Sequence, residues 1–325
     1  MRLIFAGSSK FAVPILKMLA NQQKHHFIAV ITQPDTKKGR GLKESISPVK
    51  QEALKHSLVI WQPKSINNPL FIKQLENSKV DLIIVVAYGQ KISDDVFKIP
   101  PKGCINVHPS LLPKYRGATP VNYAILNGDK QTGITIFKIV NKMDAGDILK
   151  QVIVDIKDNE TAMELDFRLA TESAYILQDL LDDIEKGVVR LIPQDETKAT
   201  YAPKFRKTDG EINWDKPSQQ IVNQIKAMYP WPGVYTFFQS QGKSSIKVDI
   251  LEAQLYAPCQ QTCLTTREGL SSGSITEINN DGIIISCGQG ERLDIKKLKP
   301  AGSRVLTAKE FSNGYRIKIG DRFGK

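Results

Sequence analysis

The sequence predicts an α/β protein: a doubly wound parallel sheet, followed by a second, smaller domain built as a closed β-barrel. Three observations predict it. Continuous apolar runs alternate with amphipathic stretches through the first half, one long amphipathic stretch closes that half, and short turn-bounded strands fill the C-terminal third. Strands of a parallel sheet are covered by helices on both faces, so they read as unbroken apolar runs and not as alternating patterns.

The elements follow in order. RLIFAG is a first strand, too soon broken by Gly7, two serines and Lys10 for a signal-peptide core, and AVPILKMLANQ is the helix after it. FIAVITQ and SPVKQEALKHS repeat the unit, and VDLIIVVAYG and GCINVHP add two more strands. GITIFKI is a further strand. In TAMELDFRLATESAYILQDLLDDIEKG, the side chains of Leu165, Leu169, Tyr175, Leu177 and Leu181 are expected on one helix face. The first domain is placed at residues 1–189. Residues 190–207, polar and proline-marked, are expected as a linker, and residues 208–325 as the second domain. There Pro217 opens a helix with Ile221, Ile225 and Met228 on one side, and VYTFF, IKVDILEAQL, GSITEI, GIIISCG and RLDIKKL are barrel strands. Trp214 and Trp231 are expected as core residues or turn anchors.

Composition narrows the function classes. No run reaches the eighteen or so apolar residues of a membrane span, so no membrane partner is expected. The four cysteines form no CxxC pair and are not spaced with the four histidines as zinc ligands, so no metal and a reducing, cytoplasmic setting are expected. The net charge is +11, and residues 201–325 carry 18 basic and 12 acidic side chains against 27 and 22 before them. A basic surface of this kind suits a polyanion such as RNA, or simply keeps the protein in solution.

The motifs eliminate more. The turn AGSSKFA has one glycine, which removes the dinucleotide fingerprint, and neither a P-loop nor a GxSxG elbow is present. In a parallel sheet the ligand lies beyond the carboxyl ends of the strands. GCINVHP ends there at Pro109, and Asn106 and His108, two residues apart, leave the same face of the strand. Asp144 follows the GITIFKI strand, and Gly146 beside it permits close approach. An amide, an imidazole and a carboxylate suit attack of an amine on a carbonyl: donors from Asn106 and a His108 N–H stabilise the oxyanion, and Asp144 assists proton removal. Each also has a plain structural alternative, as a cap, a buried hydrogen-bonding group or a turn residue.

NVHPSLLPKYRGATP and MDAGDIL together resemble the signature blocks of the formyltransferases that use 10-formyltetrahydrofolate, and ITQPDTKKGRGLKESISPVKQEA and YPWPG extend the resemblance over essentially the whole chain. The resemblance implies a Rossmann-like catalytic domain, an OB-like barrel, and catalytic roles for Asn106, His108 and Asp144. It implies folate contacts at Ser110, Leu111, Leu112 and Pro113, with Val86, Ala87, Tyr88 and Gly89 lining the pterin pocket through backbone groups. It further implies that the acceptor is methionine esterified to initiator tRNA, approached by the basic loop of Lys37, Lys38 and Arg40, and by Lys204, Arg206 and Lys207. Lys37 and Lys38 depart from the proline and small residue common in the family. A monomer is expected. The same catalytic domain in other members serves a nucleotide-sugar amine or a glycinamide ribonucleotide; an RNA-binding protein with a decayed site is the rival of another class. Intact Asn106, His108 and Asp144 argue against decay. Lys296, Lys297 and Lys299 form a further basic cluster, and the loop between Ala257 and Gly273 receives no role.

Overall fold

The computed structural model describes residues 1–22, 24–38, 43–239, 244–257 and 271–324, with the side chains at 37, 38, 43 and 44 excepted. Arg40 and most of the loop between Ala257 and Gly273 lie outside the described residues. The chain folds as two compact units: residues 1–121, 130–156 and 164–203 form one, and residues 122–129, 157–163 and 204–325 the other.

The first unit is built on a seven-stranded sheet. Across it run Ile60–Trp61, His26–Ile31, Arg2–Gly7, Leu82–Val86 and Cys104–His108, all mutually parallel, and then Gln131–Lys138 and Ile148–Asp155, each antiparallel to its neighbour. Leu82–Val86 is buried at every position, as its unbroken apolar run requires. The chain moves outward from Arg2–Gly7 in one direction, then returns to place Leu82–Val86 and Cys104–His108 on the other side. In sheets wound this way ligands bind beyond the carboxyl ends of the central strands, at the point of reversal.

Two helices show why their sequences fold as they do. Pro48–Lys55 has proline in its first turn, and the Ser47 hydroxyl accepts from the Lys50 N–H as its cap. Ala162–Lys186 buries Leu165, Leu169, Leu177 and Leu181. Tyr175, expected on that face, is 65% exposed. At about 100° per residue the four leucines share one side, whereas position 175 falls on the other. No described helix is long and apolar enough to cross a membrane.

In the second unit the sheet runs Ile275–Ile278, Ile283–Ser286, Arg292–Pro300, Ile246–Leu255, Val234–Gln239, Arg322–Phe323, all antiparallel, with Leu306–Thr307 on Arg292–Pro300. A bridge between Ser274 and Arg322 links its first and last strands, so the barrel is nearly closed. Its core gathers Trp214, Ile221, Ile225, Met228, Ile295, Phe311 and Phe323. Trp214 is the core residue expected, whereas Trp231 stands half exposed in a turn.

Residues 190–203, within the stretch expected as linker, belong to the first unit. Ile192 and Ile148 exchange backbone hydrogen bonds, and Tyr201–Ala202 pairs in parallel with Arg116–Gly117.

Candidate active site

The Cys104–His108 strand lies between Leu82–Val86 and Gln131–Lys138, with Asn106 opposite Val85 on one side and Phe137 on the other. Asn106 is half-buried, and its side chain has no hydrogen bond among the described residues, which leaves the amide available as a donor. His108, at the carboxyl end, is 4% exposed. Its Nε2 is 2.9 Å from the Tyr115 carbonyl oxygen, and its ring stands edge-on to Phe137 at 6.4 Å. A carbonyl only accepts, so the neutral ring carries its proton on Nε2 and presents a lone pair at Nδ1. The His108 N–H expected as an oxyanion donor is therefore engaged by Tyr115 while the ring is neutral.

Asp144 stands beside His108. One of its carboxylate oxygens is 3.9 Å from His108 Nδ1 and accepts a 2.8 Å hydrogen bond from the Gly117 N–H. The 3.9 Å gap is too long for a hydrogen bond and short enough for Coulombic coupling. Burial lowers the His108 pKa from 6.5, and the Asp144 charge and the Tyr115 carbonyl oppose that shift in part. The ring is thus held neutral, poised to accept a proton beside a carboxylate that stabilises the cation. Asp144 adopts the left-handed region at φ 51°, a conformation that aspartate tolerates better than most residues. The chain folds tightly there because of Gly146: a Cβ on it would lie 1.7 Å from the Lys138 carbonyl oxygen.

The turn after His108 is pinned from within. The Thr135 hydroxyl donates to the Ser110 carbonyl at 2.6 Å and accepts from the Leu112 N–H at 3.1 Å. The Ser110 hydroxyl donates to the Lys114 carbonyl, and the Leu112 carbonyl accepts from Gln151. Leu112 packs with Phe137 and Ile148, Leu111 lies over Gly133, and the Pro113 carbonyl accepts from the Thr200 N–H. Next door, Val86 is buried at the end of its strand, and Ala87 and Gly89, both at positive φ, emerge exposed around a buried Tyr88. The Tyr88 carbonyl accepts from Ser8 and Gln33, while its side chain enters the core and its hydroxyl has no partner among the described residues. Burial raises that hydroxyl to about 12.

Lys37 and Lys38 form a short hairpin strand with Lys43–Ser45, and Lys204, Arg206 and Lys207 are exposed on the second unit. Lys296 and Lys297 are paired with Asp294 and Glu252, which leaves Lys299 as the exposed lysine of that cluster without an ion pair among the described residues.

The family described as formyl transferase matches residues 1–181, and the formyl transferase C-terminal domain matches residues 204–316. A methionyl-tRNA formyltransferase of Halothermothrix orenii is 40% identical over 325 residues, covering the whole of both chains. One from Acetivibrio thermocellus is 37% identical over the same span. Among solved structures, WlaRD, a sugar 3N-formyl transferase crystallised with dTDP and 5-N-formyl-THF, aligns over 94% of this chain and 99% of its own, with a TM-score of 0.63 and 20% identity. That likeness speaks for the fold.

Proposed function

The chain belongs to the formyl transferase family, and we propose that it moves the formyl group of 10-formyltetrahydrofolate to methionyl-initiator tRNA through Asn106, His108 and Asp144. It is a formyl-transferring enzyme, and the folate is its donor substrate. The α-amine of the esterified methionine attacks the formyl carbon, and the bond from that carbon to the donor's nitrogen breaks. Asn106 donates to the oxyanion that builds up in between. His108 Nδ1 takes the proton released by the amine, and the imidazolium, stabilised by Asp144, returns it to the departing folate nitrogen. No covalent enzyme intermediate is needed.

The observation that carries this reading is the approach of the Asp144 carboxylate to 3.9 Å from His108, at the end of the strand that also bears Asn106, with the histidine tautomer set by Tyr115. For the donor, the main-chain groups of Ser110 and Leu112 are already bonded to Thr135. The polar edge of the pterin is therefore assigned to main-chain groups of Val86, Ala87, Tyr88 and Gly89 other than the Tyr88 carbonyl, which Ser8 and Gln33 already hold, and the Ser110–Pro113 turn supplies apolar surface through Leu111 and Leu112. Lys37, Lys38 and Arg40, with Lys204, Arg206 and Lys207, are the groups we assign to the tRNA backbone. The enzyme acts as a monomer in the cytoplasm, where charged initiator tRNA is used.

The test is transfer of labelled formyl from 10-formyltetrahydrofolate to methionyl-tRNA by wild type and by Asn106→Ala, His108→Ala and Asp144→Ala. Each substitution should lower kcat by at least about 100-fold with folate still bound. A wild type that ignored the tRNA but formylated a small amine would remove the acceptor from the reading and leave the chemistry.

A further inference from the structure

Arg116 sits inside the signature block, yet the catalytic reading above gives it no work. It is wholly buried. Its guanidinium makes two bonds to the Glu196 carboxylate, at 2.8 and 3.0 Å, and donates to the Gln194 side-chain oxygen from Nη2 at 2.8 Å and from Nε at 3.3 Å. Gln194 spends the other end of its amide on the catalytic loop: its nitrogen donates to the Asp144 carbonyl and to the Gly146 carbonyl, both at 2.8 Å. Every hydrogen-bonding capacity of that amide is used. The backbone beside it is tied as firmly: Ile192 to Ile148, Thr200 to Pro113 and Arg116, and Ala202 to Ala118 and Thr119.

We propose that Gln194, oriented by Arg116 and Glu196, is a positioning residue for the reaction: it holds the Asp144 loop in the left-handed turn that aims its carboxylate at His108. The inference rests on the catalytic reading of Asp144. Asp144 is fixed at two points, its carboxylate by the Gly117 N–H and its carbonyl by Gln194. Gly117 directly follows Arg116, so the same short segment governs both. Residues 192–202 lie outside both ranges matched by the family, between residues 181 and 204. They act as a strap on the catalytic loop. Only an amide serves at 194, because the position needs two donors on one side and an acceptor for a cation on the other. Glutamate keeps the acceptor and puts oxygen against two carbonyl oxygens.

Three measurements on the full-length enzyme test this: kcat and KM for both substrates, tetrahydrofolate affinity, and the titration midpoint of His108 by NMR. Gln194→Met should lower kcat about 10- to 100-fold, the scale expected for a displacement of about 1 Å in a catalytic group. Both KM values and the folate affinity should stay within about twofold, a margin well under a tenfold, 1.4 kcal/mol change. The His108 midpoint should fall below that of wild type, because a retreating Asp144 withdraws the charge that favours the imidazolium; loss of packing alone would not move it this way. Gln194→Glu, which keeps the partner for Arg116, should show the same loss of kcat and carries the test if Gln194→Met does not fold. Wild-type kcat with an unmoved His108 midpoint overturns the proposal, as does a loss confined to the KM for tRNA. Asp144→Asn separates the two readings: if it is inactive while the Gln194 variants turn over normally, only the strap fails, and if it turns over normally, the catalytic reading fails and takes the strap with it.

Discussion

In the proposed mechanism the chemistry turns on His108, and the state of its ring follows from burial. Taking the ring out of water disfavours the cation, and the nearby carboxylate restores only part of what burial removes. An NMR titration of His108 in the free enzyme should therefore reach its midpoint below 6.5, the ordinary value. A midpoint above it would mean that Asp144 outweighs burial and that the resting ring is charged, which removes its role as proton acceptor. The same shift has a stability consequence of definite sign. The unfolded chain takes up the proton as pH falls through 6.5 while the folded chain resists, so stability from this site is present above that pH and declines below it.

Among the elements, the helix Ala162–Lys186 separates pattern from position. Leu177 lies on the buried side and Tyr175 on the exposed side. Leu177→Ala should cost about 2–5 kcal/mol, the range for a core leucine, and Tyr175→Ser should stay within about 0.5 kcal/mol. Urea unfolding of the two variants checks both; equal losses would place Tyr175 in the core after all. The Arg116–Gly117 strand shows a second lesson at this scale. It is only two residues long, yet pairing with Tyr201–Ala202 fixes the peptide that grips Asp144. Glu196 feels the same arrangement: bonds from Arg116 and Lys142 pull its carboxyl from 4.5 down to about 2.

For the molecule as a whole, charge separates the two substrates. The KM for methionyl-tRNA should rise steeply as salt increases from about 50 to 200 mM, whereas the KM for the folate should change little. Replacing Lys204, Arg206 and Lys207 with alanine should flatten the salt dependence for tRNA and leave folate kinetics alone. An unchanged salt slope in that triple variant would move the polyanion contact to other basic residues. The existing ion pairs of Lys296 and Lys297 make these two the weaker candidates, because their charge is already answered by Glu252 and Asp294.

The class of each unit and the three candidate catalytic residues were legible in the sequence. Apolar run length and periodicity are local properties, and residues two apart on a strand must share a face, so Asn106 and His108 are legible as a pair. Asp144 was legible from the loop after its strand and the glycine beside it. Tyr175 was misread because periodicity was counted too loosely around the helix. Gln194 and Glu196 could not be found this way: polar residues in an irregular segment carry no periodic signal, and their value lies in partners 48 to 80 positions away. Which nitrogen of His108 carries the proton, how Asp144 is held, and that residues 190–203 join the first unit were decided by tertiary structure alone. The reason is physical: hydrogen-bond partners and desolvation are set by what the fold brings within about 3 Å, and sequence distance does not record it.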